Sequence, residues 1–303
     1  MADAPSGRQV GIDAGGQRAT LVEVGGGIRE YVVDGRHVLD GYPVDEMCSG
    51  ARGTPLAPWP NRLADGRYTF DGRDHQLPLT EPSGHNAIHG LLRWANWTVR
   101  EEQPSRAVLG VVLHPQTGYP FTLDMAVEYA LDGNGLTVTT TATNRGASPC
   151  PFACGQHPYL TPGGPTVDGA TLSFAATTSL VTDERGLPTG TAEVAGTALD
   201  FRTPHPIGDT VLDHAFTGLE RDSDGLAVVR LSGPDGHPTD LWADRSYPYL
   251  QLFTGDTQAP DKRRRGLAVE PMTAPPDALR TGEGLLVLAP GESFTGRWGI
   301  RPG

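Results

Sequence analysis

Apolar and polar residues alternate with a period of two through long stretches of this chain. Phe121, Leu123, Met125, Val127 and Tyr129 fall on one face, and Thr122, Asp124 and Glu128 on the other. Such alternation marks a half-buried strand. Asp132-Gly133-Asn134-Gly135 follows, residues that tolerate positive φ, and alternation resumes at Leu136, Val138, Thr140 and Ala142. A tight hairpin is predicted there. The chain's end repeats the device: 285–300 reads as strand, Pro290-Gly291 turn, strand, with Phe294, Trp298 and Ile300 on one face. Further strands are predicted within 19–25, 28–35, 67–72, 97–102, 107–113, 170–177, 227–233 and 249–255, several closed by Asp-Gly or a lone Gly. No segment carries apolar residues at three- and four-residue spacing over three turns, as an amphipathic helix requires. The pattern predicts an all-β fold: a large antiparallel β-sandwich of two sheets packed face to face.

Composition adds limits. The 303 residues include 40 Gly and 27 Pro, spread as punctuation with no linker, so 1–303 is expected to be one domain. The formal net charge of -12 disfavours nucleic acid as a partner. The basic run Lys262-Arg263-Arg264-Arg265 reads as a solvated loop or as a contact for an anionic substrate. Three cysteines, Cys48, Cys150 and Cys154, make no disulfide framework. No basic segment followed by an apolar stretch opens the chain, and no apolar run reaches the ~18 residues of a membrane span. A cytoplasmic protein is expected, with no membrane partner, and the sequon Asn96-Trp97-Thr98 is then accidental. Gly25-Gly26-Gly27 lacks G-x-G-x-x-G spacing and reads as a bend between strands.

Some polar residues are not explained by strands. Asn61-Arg62 follows a proline-stiffened segment; Arg62 is either a rigid fork for ligand oxygens or half of a surface ion pair. His85 and His89 have the spacing of a helical zinc pair, but Gly84 and Gly90 oppose a helix and no third ligand is near, so no metal is expected. His89 is either a pocket histidine or a packed one. Cys150-x-x-x-Cys154 is not a redox or zinc spacing, and both cysteines read as small buried hydrophobes. That leaves His157, between Gln156 and Pro158, and two carboxylates: Asp213, and Glu270 at the end of a short apolar strand. Glu270 is either a catalytic base or an ion-paired edge residue.

Together these blocks resemble the aldose 1-epimerase (galactose mutarotase) family. They run in order as Asn61-Arg62 with Gly66, Tyr68 and Gly72; His89-Gly90; Gly155-Gln156-His157-Pro158-Tyr159; Asp213 with Phe216; and Glu270-Pro271. The resemblance implies a galactose mutarotase-like supersandwich that interconverts the α and β anomers of a free aldohexose. It implies Glu270 as base, His157 as acid, and Arg62, His89 and Asp213, with Asn61, as substrate-binding residues. Leu91 stands where many relatives have a second glycine, and Leu160 where they have Phe. Both departures fit a divergent bacterial branch and leave the sugar unnamed.

The chemistry suits these residue types. Ring opening needs a base for the C1 hydroxyl and an acid for the ring oxygen. A free carboxyl titrates near 4.3 and an imidazole near 6.5, so Glu270 is expected ionised, with a nearby carboxylate keeping His157 protonated. Neither redox nor group transfer occurs, so no cofactor is expected. Two other functions fit the same fold: a non-catalytic carbohydrate-binding module, and a mutarotase of a phosphorylated or sulfonated hexose held by the 262–265 run. A polysaccharide lyase or hydrolase fits less well, since the chain has no room for an added helical domain.

Overall fold

The structure, a computed structural model, describes residues 3–303; Met1 and Ala2, the start of the stretch read for a leader, lie outside them. Two large antiparallel sheets form the body. One has nine strands, in the order Thr98–Gln103, Arg106–Leu113, Leu123–Asp132, Gly135–Asn144, Ser293–Pro302, Pro238–Ala243, Ala227–Ser232, Thr171–Phe174 and His205–Pro206. The other runs Pro188–Glu193, Ala176–Thr182, Asp213–Leu219, Tyr249–Phe253, Leu267–Met272, Gly155–Gln156 and Pro55–Leu56, with Tyr159–Leu160 also paired to Leu267–Met272. One hydrophobic cluster joins their inner faces, with Met125, Val127, Val138 and Trp298 from the first and Phe216, Leu250, Leu252 and Val269 from the second. The all-β sandwich predicted from the period of two is the fold observed.

The predicted hairpin is present: Asp132 pairs with Gly135 around Gly133-Asn134, and every second residue from Leu123 to Leu131 is buried. The expected terminal hairpin is not. Leu286–Leu288 pairs with Cys150–Phe152, whereas Ser293–Pro302 lies between Gly135–Asn144 and Pro238–Ala243. The physical reason is Asn144: its backbone carbonyl accepts from Gly291 N–H, and its side-chain amide donates to Leu288 O at 2.8 Å. These bonds tie the turn to the neighbouring strand rather than to itself. The single strand predicted within 170–177 is also two, Thr171–Phe174 and Ala176–Thr182, one in each sheet. Among the described residues helix is confined to the four-residue turn Ala278–Thr281 and two short 3-10 turns.

Gly25-Gly26-Gly27 is the expected bend, joining the paired strands Gln17–Val22 and Ile28–Val33. Gly26 has φ +65, and a Cβ there would meet the buried Trp97 ring at 2.4 Å. Gly26→Ala is therefore expected to cost about 2–4 kcal/mol, summing left-handed backbone strain and overpacking. Urea unfolding midpoints will measure it; an unchanged midpoint would refute the account.

Candidate active site

Register brings the distant motifs together. Gly155 pairs with Met272, and Tyr159 with Ala268. Two residues inward from each pair, His157 stands across from Glu270, and their Nε2 and Oε1 lie 3.3 Å apart. The His157 backbone is fixed by Gly53 N–H, which donates to its carbonyl at 2.9 Å, and by its own N–H, which donates to Thr54 O at 3.2 Å. The next two strands of the sheet add Gln251, directly opposite Glu270, and Asp213, whose Oδ1 accepts from Gln251 Nε2 at 2.6 Å.

Loops wall this floor into a cleft of about 310 Å³ lined also by Arg62, His89 and Arg93. That is at the lower end of small-ligand sites, about 300–1,000 Å³. All six residues singled out in the sequence line it: Asn61, Arg62, His89, His157, Asp213 and Glu270.

Arg62 grips Glu81 with two parallel bonds, Nε to Oε2 at 3.0 Å and Nη2 to Oε1 at 3.1 Å, and its Nη1 is 4.0 Å from Asp213. Its backbone carbonyl accepts from Asp277 N–H at 2.7 Å. Asn61 braces the framework with its backbone and Oδ1. Its Oδ1 accepts from Arg62 N–H, its carbonyl from His89 N–H, and its own N–H donates to His89 Nδ1 at 3.2 Å. An accepting Nδ1 places the His89 proton on Nε2, so His89 is a neutral donor. Burial, reinforced by His157, pushes its pKa well below 6.5. His85 is separate: it is exposed, 2.9 Å from Asp65 and absent from the cleft wall. Left-handed backbone at both His85 and His89 replaces the helix a zinc pair needs.

The charge states differ from the expectation. Burial raises the Glu270 carboxyl well above 4.5, with Asp213 adding to the rise and Arg62 opposing it. Burial lowers His157 to about 3, helped by Arg93. The adjoining carboxylate does not hold the imidazole charged, because desolvating both groups disfavours both charges. Both shifts favour the uncharged forms of the two groups. Glu270 Oε2 and His157 Nδ1 have no hydrogen-bond partner among the described residues. His157 stacks on Tyr159, ring centroids 4.9 Å apart at 13°, and meets His89 edge-on at 5.3 Å.

The basic run lies outside the cleft. Lys262 pairs with Glu46 at 3.0 Å, Arg264 with Asp168 at 2.6 Å and Asp256 at 2.8 Å, and Arg265 with Asp40 at 2.9 Å. None of residues 262–265 lines the cleft wall. Cys150 and Cys154 are buried free thiols, as read from the sequence, and burial pushes Cys150 up to about 11. Among the described residues no helix is long and apolar enough to cross a membrane.

The family model for aldose 1-epimerase matches residues 8–301. The chain belongs to the aldose 1-epimerase family. It is an isomerase of that family, 35% identical over 95% of its length to an Escherichia coli protein, YihR, described as uncharacterized, of which 91% is covered. It is 32% identical to galactose mutarotase of Rattus norvegicus over 74% of this chain and 67% of that one. Among solved structures, an aldose epimerase homologue from C. elegans superimposes with a TM-score of 0.88, at 20% identity, covering 98% of each chain. The cleft also contains residues that sequence reasoning missed. Gln251 had a signal, a lone polar residue between Leu250 and Leu252 in an apolar strand. Glu81 and Arg93 had none, being charged residues of ordinary loops.

Proposed function

We propose that this aldose 1-epimerase interconverts the α and β anomers of a free aldohexose, with Glu270 and His157 as its acid-base pair. The observation that carries this is the 3.3 Å contact between two buried titratable groups on the floor of a sugar-sized cleft. The two oxygens that exchange protons in ring opening, the C1 hydroxyl and the ring oxygen, are bonded to the same carbon. Groups serving them must stand side by side rather than at opposite edges of the ring, and these do.

The C1 hydroxyl donates to a Glu270 oxygen, Oε2, that has no protein partner. That bond favours the carboxylate, and the proton of the pair shifts to His157. Glu270 takes the C1 hydroxyl proton while His157 protonates the ring oxygen, and the C1–O5 bond opens. The free aldehyde turns about C1–C2. Ring closure on the other face reverses both transfers. Arg62, His89 and Asp213 hold ring hydroxyls, and Asn61 holds Arg62 and His89 in place. Each positioned proton transfer contributes roughly 10²–10⁴ in rate.

NMR measurement of anomer exchange across a panel of aldoses tests the proposal. Exchange well above the uncatalysed rate on at least one sugar is expected; none on any sugar refutes it. The pair works with one proton, so the pH profile has two limbs. It gains a second proton only as pH falls toward about 3, the lowered value of His157. It loses its one proton above the raised value of Glu270, well over 4.5. Activity on kcat/KM is therefore expected to persist below pH 6.5. Loss of activity through a single ionisation near 6.5 would mean that His157 titrates as a free imidazole.

A further inference from the structure

The Arg62 guanidinium is restrained from two sides. Glu81 takes one edge, Nε to Oε2 at 3.0 Å and Nη2 to Oε1 at 3.1 Å. On the other side lies the backbone of Gly186, so close that a Cβ there would stand 2.5 Å from Nη1 and 2.8 Å from Cζ. Its φ of +72 is itself a conformation that favours glycine. Asn86 joins the two restraints. It is fully buried; its Nδ2 donates to Glu81 Oε2 at 2.8 Å and to Arg185 O at 3.1 Å, and its Oδ1 accepts from Arg185 Nη2 at 3.1 Å. Glu81 is thereby fixed to the loop that packs over Arg62.

What this clamp leaves free is Nη1, which makes no hydrogen bond among the described residues. It faces Asp213 Oδ2 across 4.0 Å. That is too long for a direct hydrogen bond, but it admits one oxygen between the two, about 2.8–3.0 Å from each. A hydroxyl fills such a gap with both of its functions, accepting from the guanidinium and donating to the carboxylate. Glu81 and Asp213 compete for the same cation. Without Glu81, attraction to Asp213 is unopposed and the gap closes.

We infer that Glu81 is a positioning residue that holds Arg62 off Asp213 and so keeps open the gap in which a sugar hydroxyl binds. The hydroxyl rests on the epimerase function proposed for the cleft, whereas the clamp rests on the geometry around Arg62.

NMR exchange rates over a range of D-galactose and D-glucose concentrations test it, together with crystal structures of the wild type and Glu81→Ala. A hydroxyl away from C1 is held alike in the ground and transition states, so losing its site raises KM rather than lowering kcat. Glu81→Ala is expected to raise KM about tenfold, with kcat within about threefold, as the loss of a charge-assisted contact implies. Glu81→Gln keeps an oxygen for the guanidinium and is expected to show a smaller rise. Adding Glu81→Ala to Arg62→Met is expected to change KM no further. In the Glu81→Ala crystal, Nη1 is expected within hydrogen-bond distance of Asp213. Damage to the fold alone would lower kcat through loss of active protein and leave KM unmoved. An unchanged KM in Glu81→Ala, a further rise in the double variant, or an Arg62 that stays out of reach of Asp213 overturns the inference. Should Glu81→Ala fail to fold, KM and the Arg62 position in Glu81→Gln decide in its place. Absence of exchange on both sugars counts against the epimerase function instead, while the place of Arg62 in the variant still decides on Glu81.

Discussion

Glu270→Gln is expected to abolish anomer exchange to within detection, a loss of at least about 10²–10⁴, the contribution of one positioned proton transfer. Gln keeps the shape of the side chain and removes only the ability to accept and return a proton. The fold should not suffer. Glu270 is 2% exposed, its Oε2 has no partner among the described residues, and a carboxamide can still donate to His157 Nε2 where Oε1 meets it, so the substitution removes a buried acid that burial already penalises. The sign of the pH effect follows. The folded protein holds the Glu270 proton above the pH at which an unfolded carboxyl releases it. Over that range the folded state binds more protons, so Glu270 costs the wild type stability as pH rises above 4.5. Glu270→Gln lacks this loss, so its stability relative to wild type should improve from pH 4.5 upward. Polarimetry on freshly dissolved sugar gives the rate, and urea unfolding at several pH values gives the stability. Wild-type-like exchange in the variant would remove Glu270 from the mechanism.

What the sequence reveals of this fold depends on how each strand is buried. Leu123–Asp132 and Gly135–Asn144 bury one face each, so alternation betrays them. Leu267–Met272 is buried at all six positions, and only its apolar start, "LAV", reads as strand. Pro238–Ala243 and Asp213–Leu219 mix polar and apolar residues without a clean period and escape notice. The site behaves the same way. His157 and Glu270 are legible as residues because a resemblance marks them, but not as neighbours. Their contact arises from the register of Gly155–Gln156 and Tyr159–Leu160 on Leu267–Met272, which no local pattern encodes. Their charge states were misjudged for the same reason. Reference pKa values describe groups in water, and the depth of burial is a property of the assembled sheet.

The basic run illustrates the converse. Four consecutive cations look like a binding feature along the chain. In space three of them are neutralised by Glu46, Asp168 and Asp40, which come from remote segments, and by Asp256, eight residues before Arg264. A lone arginine, Arg93, was unremarkable in sequence but has no acid partner among the described residues once folded. Which charges are free for a ligand is decided by tertiary pairing, not by local density.

His157→Asn is expected to cost about as much activity as Glu270→Gln, and the two losses should not add. A base without its acid leaves the ring oxygen to depart as an unprotonated alkoxide, and an acid without its base leaves the C1 hydroxyl proton in place. Groups that act as a unit lose most of their effect with the first removal. The double variant should therefore exchange anomers no more slowly than either single one, within a few-fold. His85→Asn provides the contrast, since His85 sits in an exposed pair with Asp65 outside the cleft and should leave exchange near wild type. Stability gives a second readout with its own sign. The His157 pKa falls from 6.5 to about 3 on folding, so between those values the unfolded chain binds more protons and the wild type loses stability as pH drops. His157→Asn has no such titration, and any stability deficit it shows at neutral pH should shrink steadily from pH 6.5 toward 3. A variant whose deficit is constant with pH, or one in which His85→Asn loses as much exchange as His157→Asn, would place the acid elsewhere in the cleft.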